Sequence, residues 1–174
     1  MPELRFDTKL TSLSELLKEN ARHDTMTSSP MVHELGRIDV VALEDRPALS
    51  RDVPLDLNEV QTAWPAFEGA FDSLQGRRMM GLIFGGDAVY RLATARLDRD
   101  VGNALGLDES IIPGGDYLRL RLRGEVPGLY GQIEAAFDVL FTLAHHDHDH
   151  ERPHIESYRR EGEIDCLVPI QTEG

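Results

Sequence analysis

Arg152-Pro153-His154-Ile155-Glu156-Ser157-Tyr158-Arg159-Arg160-Glu161-Gly162-Glu163-Ile164-Asp165-Cys166-Leu167-Val168-Pro169-Ile170 reads as two alternating strands joined at Glu161-Gly162, where glycine supplies the positive φ of a tight hairpin. On the second strand Ile164, Cys166, Val168 and Ile170 share one face, and Pro169 suits an edge or a strand end. On the first, the period of two puts His154, Glu156 and Tyr158 on one side and Ile155 and Ser157 on the other. A mid-strand carboxylate flanked by His and Tyr points into solvent or sits in a pocket where something must satisfy it.

Working back from this hairpin, Asp116 to Gly124 alternates almost perfectly, three leucines against three arginines. Pro127 suits the first turn of a helix whose apolar stripe is Leu129, Ile133, Phe137, Leu140 and Phe141. The same order stands earlier in the chain. Ile38 to Glu44 is strand-like, and a loop rich in Pro and Asp follows. Asp56 with Glu59 then opens a helix bearing Leu57, Val60, Trp64, Phe67, Phe71 and Leu74, with Gly76 placed to end it. Pro65 should kink that helix at Trp64 or start a second segment. Met79–Phe84 and Val89–Leu97 form a hairpin around Gly85-Gly86-Asp87, and Asp98 to about Pro113 reads as a connector. Two copies of strand, helix, hairpin predict an α+β fold: a mostly antiparallel sheet with two main helices on one face.

Two short motifs, Gly114-Gly115-Asp116-Tyr117 and Pro153-x-x-Glu156-x-Tyr158, together with this duplicated order, resemble the GyrI-like family. That family holds the effector-binding domains of multidrug-sensing bacterial transcription regulators and stand-alone small-molecule-binding proteins. The resemblance runs from about Met31 to Gln171. It implies modules packed about a pseudo-two-fold axis with a ligand groove between their helices, and Glu156 at the base of that groove. Residues 31–174 would be the ligand-binding domain. Residues 1–30 depart from the pattern and read as an appendage, a short helix with Leu13, Leu16 and Leu17 on one face followed by a linker at Thr25–Pro30.

With 41% hydrophobic and 28% charged residues, the 174-residue chain has the composition of an ordinary soluble globular protein. Its net charge of -13 argues against direct nucleic-acid binding, which needs a clustered cationic surface, and favours a cationic ligand. The appendage is too short for a helix-turn-helix. The lone Cys166 excludes an internal disulfide and reads as a buried structural thiol. The charged start and the lack of a long apolar run predict a cytoplasmic protein without a membrane span.

For Glu156, periodicity alone favours a solvated carboxylate paired with an arginine, and the resemblance turns this into a ligand-facing one. Burial among aromatics would raise the cost of its charge, which a cationic ligand offsets. Tyr158 shares its face. Trp64, Tyr117, Tyr90 and Phe84 are the candidates for an aromatic wall, with Tyr130 a further one. The run His145-His146-Asp147-His148-Asp149-His150-Glu151 has metal-ligand residue types, but no distant His or Cys set closes a buried site, and it reads as a solvated loop. Arg119, Arg121 and Arg123, with Arg152, Arg159 and Arg160, read as cross-strand partners of Asp and Glu rather than an anion stripe. No motif asks for a cofactor, and no hydrolase elbow, phosphate loop or zinc-protease signature appears. The expected function is binding of a hydrophobic or cationic organic molecule, as a drug sensor or sequestering protein. The alternatives are hydrolysis of electrophilic cyclopropane-bearing compounds through Glu156, and a protein-interaction role such as gyrase modulation.

Overall fold

The computed structural model describes residues 31–103, 105–125 and 128–171, so the expected appendage helix and Pro127 lie outside the described residues. Within these residues nine strands form one antiparallel sheet: β1 (Met31–His33), β2 (Gly36–Leu43), β3 (Arg46–Pro54), β4 (Met79–Phe84), β5 (Val89–Ala95), β6 (Asp108–Ile112), β7 (Gly115–Arg123), β8 (His154–Arg160) and β9 (Glu163–Pro169). Helix α1 (Leu57–Gly69) and helix α2 (Ile133–Ala144), the latter led in by a 3-10 turn over Gly128–Gln132, pack on one face. The spatial order is β1-β2-β7-β9-β8-β4-β5-β3-β6.

That order is symmetric about the β8–β4 pair once β1 is set aside: β9 answers β5, β7 answers β3, and β2 answers β6. The repeat unit is therefore two strands, a helix and a hairpin, one strand longer than the alternating runs predict. The strand that precedes α1 is β3, not β2, and the first strand of each unit pairs with the second strand of the other. β3 hides in the stretch that reads as a Pro-rich loop. Its prolines are tolerated because each sits where one ladder ends: Pro47 opposes β6 and meets the other side only through its carbonyl, which accepts from the Arg96 amide just past β5, and Pro54 opposes β5 beyond the reach of β6. β6 likewise lies within the stretch read as a connector.

This exchange curls the sheet. β2 and β3 stand six strand positions apart, as do β6 and β7, which in a flat sheet is about 29 Å at ~4.8 Å per strand. Each pair is joined by two residues, Glu44-Asp45 and Pro113-Gly114, and three Cα steps reach at most about 11 Å. The sheet must roll until the two links meet. They touch: the Gly114 amide donates to Asp45 Oδ1 at 2.6 Å, and a Cβ at Gly114 would run into the Leu43 carbonyl. Next to it, Gly115 has φ 115 and leaves room for the Arg152 guanidinium, which donates to the Gly114, Asp116 and Ile170 carbonyls and lies over the Tyr117 ring. The Gly-Gly-x-Tyr motif is thus the seam of the rolled sheet.

Two cores follow from the period of two. The helix-side face carries Leu118, Leu120, Leu122, Ile164, Cys166 and Val168 against Phe137 and Leu140. The opposite face gathers Leu82, Ala93, Ile112, Tyr117, Ile155 and Leu167 from six different strands inside the curl. Asp56 caps α1, accepting from the Asn58 and Glu59 amides. The helix continues through Pro65 instead of breaking there, because Pro65 and Gln61, whose carbonyl loses its amide partner, are both exposed to water. It ends at Gly69, earlier than the apolar stripe through Leu74 implies; Phe71 stays buried against Phe67, while Leu74 is exposed.

Candidate ligand groove

Between α1 and α2, above the centre of the sheet, lies an open groove of about 1190 Å³. This exceeds the ~300–1,000 Å³ of ordinary small-molecule sites. One wall is Leu57, Val60 and Trp64 of α1, the other Tyr130, Ile133 and Phe137, and the floor comes from β4, β5 and β8.

Glu156 is the polar centre of that floor. The hydroxyls of Tyr90 and Tyr158 both donate to its Oε2, at 2.8 and 2.9 Å. Tyr158 reaches it as the next residue on the same face of β8. Tyr90 comes from β5, two strands away, and has to cross β4. It can do so because the residue of β4 that opposes Glu156 is Gly81. A Cβ at Gly81 would coincide with the Tyr90 hydroxyl. Gly81 is the site residue that sequence reasoning misses, since one glycine in an apolar strand carries no signal of what crosses above it.

Trp64 closes over the pair, edge-on to Tyr158 at 5.6 Å and to Tyr90 at 6.2 Å between ring centroids. Tyr130, half exposed at the mouth, stands edge-on to Tyr158 at 6.3 Å. Burial holds the Glu156 carboxyl above the usual carboxylate range, while the two tyrosine hydrogen bonds pull it back by favouring the charged form. The same burial, with the carboxylate beside them, raises both phenols, so they stay protonated donors. Two donors occupy Oε2, and among the described residues no hydrogen bond reaches Oε1. The site therefore offers one carboxylate oxygen, backed by neutral donors and set among the rings of Trp64, Tyr90 and Tyr158. Among the described residues no guanidinium or ammonium is bonded to it.

Trp64, Tyr90, Glu156 and Tyr158 thus come together in one place. Tyr117 and Phe84 do not. Tyr117 shares its face of β7 with the arginines, donates to the Pro113 carbonyl and is fully buried in the opposite core. Phe84 alternates with Ile83, which faces the groove, and lies on the far side under the Arg91 guanidinium. Strand parity alone carries this correction. His154, on the groove face of β8, packs against Phe137 and Phe141, and burial followed by the neighbouring His148 lowers it to about 4. The His-rich run forms a short turn whose His148 bridges to Ile170, and among the described residues no group of three His, Cys, Asp or Glu side chains is placed to hold a metal ion. Cys166, opposite Glu156 on β9, is buried with its thiol pushed up by burial. No helix among the described residues is long and apolar enough to cross a membrane.

No family model and no curated protein matches the sequence. Solved structures share the fold. SAV2435 bound to tetraphenylphosphonium superposes with a TM-score of 0.57 at 14% identity, over 77% of this chain and 93% of its own. An integron cassette protein from the mobile metagenome of Vibrio cholerae gives 0.58 at 10% identity, over 77% and 95%. A hydrolase from Listeria innocua gives 0.54 at 10% identity, over 89% and 98%. The likeness fits the GyrI-like fold that the sequence motifs resemble, and at these identities it is a likeness of fold.

Proposed function

We propose that the chain is a GyrI-like small-molecule-binding protein whose groove takes an amphipathic or aromatic organic cation, with Glu156 fixing the cationic end. One observation carries this reading: a carboxylate made costly by burial receives only neutral hydrogen bonds, from Tyr90 and Tyr158, so its charge is left for a ligand to balance. Trp64, Tyr90 and Tyr158 supply the π surface that a delocalised cation prefers. The fold neighbour bound to tetraphenylphosphonium supports the same ligand class. Sensing or sequestering such compounds is the role this binding would serve. The test is titration with tetraphenylphosphonium. Saturable binding that Glu156→Gln weakens about tenfold or more, with the variant still folded, is expected, and equal affinity in the two proteins would remove the role given to Glu156.

A second reading rests on the free Oε1. Once ionised, a carboxylate whose pKa is raised and which keeps an open oxygen can take a proton from water, and the fold neighbour from Listeria innocua is a hydrolase. Here Glu156 would activate water against an electrophilic substrate, with Tyr158 orienting it. Mass analysis of ligand recovered after incubation separates the two: a binder returns it unchanged, and an enzyme returns a product that Glu156→Gln no longer forms.

A further inference from the structure

The arginines of β7 carry more positive charge than cross-strand pairing consumes. Arg119 and Arg121 are each gripped through Nε and Nη2, by Asp39 and Asp165. This fixes their guanidinium planes, and among the described residues neither Nη1 has a hydrogen bond. Arg37 on β2 stands directly opposite Arg121, a like-charge cross-strand pair that is unfavourable by itself. Arg37 is exposed and makes no ion pair among the described residues. Arg123 is 65% exposed, and its nearest carboxylate, Glu163, lies 3.8 Å away and is shared with Arg121, Arg159 and Arg160. Of six arginines here, at positions 37, 119, 121, 123, 159 and 160, five share three carboxylates, Asp39, Glu163 and Asp165, and Arg37 pairs with none among the described residues. The surplus of three positive charges sits on a chain whose net charge is -13. Four of the six, Arg37, Arg119, Arg121 and Arg123, line one concavity of about 360 Å³ on the face away from the helices. Part of its lining is Gly36, whose backbone sits against the Arg121 carbonyl and contributes no side chain.

We propose that this concavity is a binding site for a small, multiply charged oxyanion, a phosphate or a polycarboxylate. Guanidinium forks held in plane by bidentate carboxylates present their remaining N–H groups at fixed angles, which suits oxyanions. A dianion between Arg37 and Arg121 would relieve their repulsion, and the volume, at the lower end for small-molecule sites, limits the occupant to a compact anion. The site is separate from the groove and stands or falls independently of the cation reading.

Inorganic pyrophosphate and citrate are the probes, titrated calorimetrically into the 174-residue chain at roughly 20 mM and 200 mM salt, where screening differs severalfold. The variant is Arg37→Gln with Arg123→Gln, chosen because neither side chain holds a close ion pair. Saturable binding of at least one probe is expected at the lower salt, about tenfold or more weaker in the double variant, with tetraphenylphosphonium affinity unchanged. Absence of saturable binding for both probes overturns the proposal, as does equal affinity in the double variant. Anion binding abolished by Glu156→Gln would place the anion in the groove and overturn it also.

Discussion

Glu156 and Asp165 stand on neighbouring strands of one hairpin, one facing the helices and one facing away, and burial raises the pKa of both. Their partners differ in kind. Asp165 is met by the Arg121 guanidinium through two hydrogen bonds, so its charge is balanced inside the protein. Glu156 is met by two phenols, which satisfy an oxygen without cancelling a charge. A buried carboxylate with a cationic partner is part of the architecture, whereas one with only neutral donors keeps an electrostatic demand that something from outside can meet.

The largest effect that tests this comparison is on the balanced side. Arg121→Ala leaves Asp165 buried with no guanidinium hydrogen-bonded to it and only Arg159, 3.7 Å away, to offset its charge, and should lower stability by about 2–3 kcal/mol, read from denaturant unfolding. Asp165→Asn in the same background should recover most of that loss. If Arg121→Ala is silent, Asp165 is not charge-dependent and the contrast with Glu156 collapses.

Next comes the crossing that builds the other side. Gly81→Ala puts a methyl where the Tyr90 hydroxyl lies, and overpacking of this kind costs about 1–3 kcal/mol. It should also weaken binding of tetraphenylphosphonium by displacing Tyr90 from Glu156. Because the displaced atom is the hydroxyl, Tyr90→Phe added to Gly81→Ala should restore stability in part but not binding. A Gly81→Ala protein with native stability and affinity would show that Tyr90 does not need this path.

The smallest effect at neutral pH, and the one most specific to Glu156, is its pH dependence. Its folded-state pKa is raised, so the native protein holds this proton more tightly than the unfolded chain. The contribution is present below the ordinary carboxylate range and is lost as pH rises from there through the folded value. Glu156→Gln should therefore gain stability relative to the parent as pH rises across that window, and tetraphenylphosphonium affinity of the parent should rise over the same interval as the carboxylate forms. Parallel stability profiles for the two proteins would mean that Glu156 is already balanced by a charge within the fold.

Much of the site was legible because β-strand parity is local. His154, Glu156 and Tyr158 had to share a face, and the same rule, applied to Asp116–Arg123, puts Tyr117 with the arginines and away from the groove. Phe84 is excluded by the identical argument against Ile83. Tyr90 and Trp64 belong to segments far from Glu156 in sequence, and only the antiparallel register of β4 with β5 and β8 brings the tyrosine over Gly81 to the carboxylate.

Alternation and helical stripes by themselves determined the α+β class, the two helices, the two hairpins and the strand that carries Glu156, since each is set by spacing within a dozen residues. The tertiary structure decided the rest. It made a strand of Arg46–Pro54, whose prolines and charges look like a loop until neighbours on alternate sides supply the pairing, and it exchanged β2 and β6 between the two units. Through that exchange it rolled the sheet and seated Tyr117 in its second core. Such choices depend on which strand lies beside which, and pairing partners tens of residues apart leave no periodic mark in the chain.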